Sequence, residues 1–425
     1  MNAILSAFAV AIALLGAPLF AVIAAGALIG FWASDIDLQT VAIELYRLTD
    51  TSVLLALPLF TFAGYLLSES KTSHRLVRVT QAWMGWMPGG LALVALLTCA
   101  MFTAFSGAMG VTIVAIGALL LPALREAGYK ERFSMGLVTT TGSLGLLLPP
   151  ALPLIIYGVI TQQMGVQGVT LEDLFVAGIL PVLLMILALW IYSLWANRGQ
   201  HIPLTPFSLK EGCSALWDAK WELPLPLVVL GGIYGGFFVI SEAAAVTALY
   251  ALVVQVFIYR EIPLRNLPRI MRDAMVMVGG VLIIMGMAMA FANVLVDASV
   301  PEMLFDLIRE HVDSKLTFLL LLNALLLVLG CMLEIFPALI IMVPLLVPVA
   351  QGYGVDPVHL GIIFLANMQI GYFMPPVGMS LYIASFRFRK SMVDVWMSTF
   401  PFFFVLLAVV LVITYVPWLS LAFVR

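Results

Sequence analysis

Charge is what this sequence has least of. Of its 425 residues only 10% are Asp, Glu, Lys or Arg and 63% are hydrophobic, where a soluble domain carries about 25% charged residues. That deficit excludes a water-soluble globular chain. Basic surface is missing too: the formal net charge is −3, so no footprint for nucleic acid is present. Cys99, Cys213 and Cys331 are odd in number and scattered, which implies no disulfide framework. The four histidines, His74, His201, His311 and His359, lie in or near loops. No HExxH motif or Gly-x-Ser motif with a partner histidine accompanies them, and Ser106-Gly107 lacks a basic partner, so an intramembrane enzyme is not expected. Nor is there a long polar segment. The longest, Asn197 to Glu222, has about 26 residues and has room for a short surface helix, not a domain.

What the chain has in abundance is long apolar runs. They lie near 3–30, 52–68, 88–124, 134–160, 172–195, 223–258, 275–296, 317–355, 358–386 and 396–423. About 20 apolar residues suffice to span a bilayer, so several of these must be pairs of helices or hairpins. The alternation of a membrane β-barrel is absent. The expected class is an all-α polytopic membrane protein embedded in the lipid bilayer. The first run lacks a basic n-region and is read as a span, not a cleaved signal.

A repeat organises the runs. At an offset of 226 positions Pro122 falls on Pro348, Gly128 on Gly354, Gly145 on Gly371, and Pro149-Pro150 on Pro375-Pro376. Two apolar units interrupted by Gly and Pro at the same depth point to a transporter with internal symmetry and broken helices. The division is then a first repeat at 1–196, a linker at 197–222 and a second repeat at 223–425.

Positive residues orient the chain. They cluster in four loops, expected on the cytoplasmic side: Lys71, Arg75 and Arg78; Arg125, Lys130 and Arg132; Arg260, Arg265, Arg269 and Arg272; and Arg387, Arg389 and Lys390. The first two flank the uncharged stretch 88–124. Its arms of about 17 residues reach roughly 25 Å at ~1.5 Å per residue. A re-entrant hairpin with its tip at Ser106-Gly107-Ala108-Met109-Gly110 is the economical reading, with two short ordinary spans as the alternative. The repeat offset puts a second tip at Cys331 to Phe336, which holds Glu334. A carboxylate deep in a membrane is costly unless it is neutralised or faces a polar cavity, so Glu334 is a functional candidate. Glu242, in Ser241-Glu242-Ala243, reads equally as a site or as a helix N-terminal cap.

The second break of each unit adds polar groups. Thr139 to Gly145 precedes Pro149-Pro150, and Asn367-Met368-Gln369-Ile370-Gly371 precedes Pro375-Pro376. Proline removes a donor and glycine frees the backbone. Unwound carbonyls with Thr or Asn oxygens suit Na⁺, while half-helix N-termini suit an anion. Tyr157 and Tyr382, just past the breaks, are within reach of a substrate, although aromatic anchoring at the membrane interface is the commoner role.

These residues resemble the large membrane subunit of the tripartite ATP-independent periplasmic (TRAP) transporters along nearly the whole length. The matching pieces include Phe105-Ser106-Gly107, Ile116-Gly117 through Pro122, Gly128-Tyr129, and Pro149-Pro150 with Ile156-Tyr157-Gly158. Gly235-Gly236, Ser241 to Val246, Gly354 to Gly361, Asn367, Gly371 and Pro375-Pro376-Val377-Gly378 complete them. The resemblance implies two inverted-topology repeats and an elevator mechanism in a bacterial inner membrane. It implies Na⁺-driven uptake of organic acids of the C4-dicarboxylate, keto acid or sugar acid class. It also implies a small four-helix membrane subunit and a periplasmic substrate-binding protein, both expected as separate polypeptides. Matched by position, the expected substrate residues are Ser106, Gly107, Ala108, Tyr157, Pro149, Pro150, Pro375 and Pro376. The expected Na⁺ residues are Thr141, Gly142, Gly145, Gly330, Glu334, Asn367 and Gly371.

The chain departs from the family pattern at several points. Ala108-Met109-Gly110 replaces a Ser-rich tip, Glu334 stands where Asp is common, Val239-Ile240-Ser241 replaces Thr-Pro-Thr, and Met374 replaces a Thr. A more apolar tip puts the common C4-dicarboxylates in question as substrate. A symporter that needs no binding protein is the nearest alternative. A passive channel is a poorer fit, because polar residues within the runs are few.

Overall fold

The structure, a computed structural model, describes residues 18–34, 36–47, 52–107, 109–200, 202, 206–312 and 314–424. Most of the expected first span and Ala108 lie outside the described residues. Among those described the elements are helices and short turns, with no strand. In a bilayer the backbone must satisfy itself, and the helix does so within each segment.

The first half opens with α1 (Leu19–Ala33), α2 (Gln39–Arg47), α3 (Ala56–Glu69) and the amphipathic α4 (Thr72–Met84). Next come α5 (Gly90–Ser106) and α6 (Met109–Glu126), the arms of a hairpin. A broken helix follows: α7 (Glu131–Thr141), a 3₁₀ turn at Leu144–Leu147 and α8 (Leu152–Gln163). α9 (Leu171–Ala177) and α10 (Ile179–Ala196) end this half, and the linker carries α11 (Leu209–Asp218).

The second half runs through α12 (Pro224–Tyr234), α13 (Ile240–Leu252), α14 (Leu267–Asp297) and α15 (Val300–His311). α16 (Lys315–Met332) and α17 (Ile335–Gly352) meet at a second tip. α18 (Pro357–Gly371) and α19 (Met379–Phe388) form its broken helix, followed by α20 (Met392–Tyr415) and α21 (Trp418–Leu421). Among the described residues, eight helical stretches are long and apolar enough to cross a membrane.

Helix ends fall in the register read from the sequence. α5 stops at Ser106 and α16 at Met332; α6 starts at Met109 and α17 at Ile335; α7 starts at Glu131 and α18 at Pro357. Each pair lies at the same 226-residue offset. The terminal hydrogen bonds repeat as well: Gly107 N–H donates to the Thr103 carbonyl at 2.8 Å, and Leu333 N–H to the Leu329 carbonyl at 2.7 Å. Gly107 has φ +64°, a left-handed helix stop that glycine adopts without strain. Both Pro149-Pro150 and Pro375-Pro376 are cis.

Packing crosses between the halves. α6 lies against α19 and α17 against α8, while α13 covers α3 and α14 covers α1. The first broken helix and α18 are the most enclosed elements, with every residue of α18 from Val358 to Gly371 buried. Outer helices such as α10 expose Leu183, Leu187, Ile191 and Trp195, the apolar face that a lipid solvent favours.

The basic loops meet in pairs. Arg269 bonds Glu69 at 2.6 Å, and the Lys71 N–H donates to Glu261 at 2.8 Å. Lys390 and Arg125 both reach Glu131, at 2.9 and 2.8 Å. The linker is tied into the first junction. Arg78 pairs with Glu211 and Asp218 of α11. Arg75 donates to Glu222 and to Glu261, each at 2.6 Å, with its guanidinium 4.0 Å from the Tyr259 ring centroid.

Candidate transport site

Both hairpin tips open onto one cavity of about 660 Å³. Gly107, Met109 and Gly110 reach it from the first tip, and Glu334, Ile335 and Phe336 from the second. Tyr65, Ser68 and Glu69 of α3, Met277 of α14, Leu146 and Tyr372 of the breaks, and Met379 and Ile383 of α19 complete most of the wall. Glu334 occupies the N-cap position of α17, next to the Ile335 N–H, which donates to the Tyr372 hydroxyl at 2.6 Å. The break in the second broken helix therefore holds the second tip in place.

Behind the tips the matched glycines bring backbone onto backbone. A Cβ on Gly145 would press on the Ala100 carbonyl and stand 2.5 Å from the Ala104 nitrogen. A Cβ on Gly371 would stand 2.7 Å from the Gly330 Cα. The same hairpin position meets the same break in each half. In the first half Thr103 adds a hydroxyl that donates to the Gly142 carbonyl at 2.9 Å and lies 2.6 Å from Thr112 Oγ1. Thr141 donates within its own helix, to the Val138 carbonyl.

In the second half Asn367 is fully buried. Its amide nitrogen donates to Asn323 Oδ1 at 2.7 Å and to the Ile363 carbonyl at 2.8 Å. Thr414 Oγ1 also donates to Asn323 Oδ1, at 3.0 Å. Asn367 Oδ1, Gln369 Oε1 and Ser106 Oγ are buried without a partner among the described residues. Buried oxygens without donors cost free energy, and a cation with oxygen ligands would relieve that cost. Asn323 and Thr103 are not among the residues singled out from sequence. Asn323 did leave a signal, an amide inside the apolar run 317–355, where Gln351 near the end is the other. Thr103 leaves none, because hydroxyls in helices commonly bond their own backbone.

Of the expected substrate residues, Gly107 lines the cavity and Ser106 lies buried beside it. Tyr157 does not line it. That side chain is fully buried, its hydroxyl donates to the Pro357 carbonyl and its ring packs on Gly361, so it joins the two broken helices. Pro149, Pro150, Pro375 and Pro376 shape the breaks without facing the cavity. Of the expected ion residues, Glu334 faces the cavity, and Gly142, Gly145, Gly330 and Gly371 form the contacts above. Glu242 is a cap: its carboxylate accepts the Val239 N–H at 3.1 Å, at the start of α13.

Paired hairpins and paired broken helices around one cavity, in a many-span helical chain, are the architecture of a membrane transport protein. Residues 5–419 match the family described as the tripartite ATP-independent periplasmic transporter, DctM component, and the chain belongs to that family. It is 35% identical over 402 residues to the C4-dicarboxylate TRAP transporter large permease protein DctM of Rhodobacter capsulatus, covering 92% of this chain and 91% of the relative. It is 36% identical over 393 residues to the isethionate TRAP transporter permease protein DctMQ of Oleidesulfovibrio alaskensis, covering 92% of this chain and 61% of the relative. The fold is shared with the YdaH transporter of Alcanivorax borkumensis, at TM-score 0.63 and 14% identity over 91% of this chain and 88% of that one. The protein is thus a multi-pass large permease of the TRAP type.

Proposed function

We propose that this permease imports small organic anions across a bacterial inner membrane, driven by co-transported Na⁺. In this proposal a separate four-helix membrane subunit braces it and a periplasmic binding protein delivers the anion. The observation that carries the reading is the meeting of Gly107 and Glu334, one from each tip, in a single cavity. Relatives named for C4-dicarboxylate and for isethionate support an organic anion as cargo. Na⁺ is supported by the buried, unpartnered oxygens of Ser106, at the end of the first hairpin arm, and of Asn367, in the second broken helix.

An anion entering beside Glu334 meets like charge, and a bound cation removes that penalty. Coupling follows, because each ligand favours the binding of the other. The hairpins and broken helices, being packed backbone to backbone, would then move as one body against α3, α13 and α14, as in an elevator.

Uptake into proteoliposomes holding the chain, the small subunit and the binding protein tests this. Accumulation should follow an inward Na⁺ gradient and collapse in choline chloride. Accumulation driven equally by a proton gradient alone would overturn Na⁺ coupling. Undiminished uptake without the binding protein would favour the single-component symporter.

A further inference from the structure

We infer that the cavity is built for a monoanionic acid with an apolar body and not for a dicarboxylate, an inference that rests on the function proposed above. The wall between the two tips is apolar: Met109, Val111, Leu146, Met277, Phe336 and Met379 face it. Among the described residues its charged groups are both carboxylates, Glu69 and Glu334, and no Lys or Arg lines it. Two arginines touch lining residues without lining the cavity themselves, Arg269 through Glu69 at 2.6 Å and Arg387 Nε through the Val114 carbonyl at 3.1 Å. The Ile335 amide at the second tip is engaged as well, by the Tyr372 hydroxyl.

A dicarboxylate carries two charges that must each find a donor, most often a forked guanidinium. Here a second carboxylate would be desolvated against methionine and phenylalanine with Glu334 nearby, which is unfavourable on both counts. One carboxylate can share a co-bound Na⁺ while the rest of the molecule buries apolar surface. The volume of about 660 Å³ sits within the roughly 300–1,000 Å³ of pockets that enclose drug-sized ligands, far more than four carbons need.

The test is direct binding to the purified full-length chain with its small subunit in lipid nanodiscs, in NaCl, using 4-methyl-2-oxopentanoate and succinate as probes. The expected result is that the oxo acid raises the melting temperature at a concentration at least tenfold lower than succinate does. Met379→Ser and Met277→Ser, with Na⁺ stabilisation intact as the folding check, should each weaken the oxo acid by about tenfold and so narrow its advantage over succinate, since a partly buried apolar side chain is worth that much; an undiminished advantage in both variants would count against the inference. Succinate binding as tightly as the oxo acid, or more tightly, would overturn this inference and leave the proposed organic-anion transport standing. If Na⁺ stabilises the protein and neither acid binds, this inference falls together with the cavity as the anion site.

Discussion

Gly371 and Gly330 touch through their backbones: a Cβ on Gly371 would lie 2.7 Å from the Gly330 Cα, while one on Gly330 would lie 3.1 Å from the Gly371 Cα. The hairpin arm and the broken helix approach this closely because neither residue has a side chain.

That contact predicts an asymmetry. Gly371→Ala must displace the α16 backbone and should cost about 1–3 kcal/mol, the usual range for overpacking. Gly330→Ala needs a shift of only a few tenths of an ångström and should cost less. Chemical denaturation of both variants checks this, and equal losses would contradict the geometry.

Thr103 anchors the first arm to the first break through the Gly142 carbonyl. Thr103→Val leaves that buried acceptor unpaired and should lose about 1–3 kcal/mol. Thr103→Ser keeps the hydroxyl and should lose much less. Matching losses for the two would assign the effect to packing alone.

Arg75 joins α4, the linker and the loop before α14. Its partner Glu222 has a side chain only 3% exposed. Arg75→Met should therefore destabilise by about 3 kcal/mol, because an unpaired carboxylate stays buried. A melting temperature like that of the unmodified protein would show that Glu222 finds solvent instead.

The same junction gives a pH dependence. Burial alone would raise the Glu261 carboxyl, but the Arg75 guanidinium and the Lys71 N–H outweigh it and hold it below its ordinary value. The unfolded chain then binds the proton first as pH falls. The stabilisation is present above the unfolded value of roughly 4.3 and is lost as pH drops through the lower folded one. Glu261→Gln should flatten the acid limb of a stability–pH profile; an unchanged limb would assign it to other groups.

Much of this architecture was legible in the residues. Gly and Pro punctuate the chain where helices must stop, so Gly107, Gly145 and Gly371 mark the breaks to within a residue or two. Glu334 stood out because an unpaired carboxylate in an apolar run demands a polar neighbour. Tyr157 was misleading: its place beside a break invited a substrate role, but its partner, Pro357, is 200 residues away. The Arg75, Glu222 and Glu261 junction was hidden for the same reason, since loop charges look alike until the fold pairs them. Glu242 resolved in favour of its local motif, the one context that sequence neighbours fully contain.

Na⁺ binding is proposed at buried oxygens that have no partner among the described residues, Asn367 Oδ1 foremost. The measurement that tests it most directly is the melting temperature of the purified chain with its small subunit, in NaCl against choline chloride. A ligand at 100 times its dissociation constant stabilises by about 2.7 kcal/mol. A Na⁺-specific rise is expected, and it should disappear in Asn367→Ala while that variant still folds. No Na⁺-specific rise, or one that Asn367→Ala keeps in full, would contradict it.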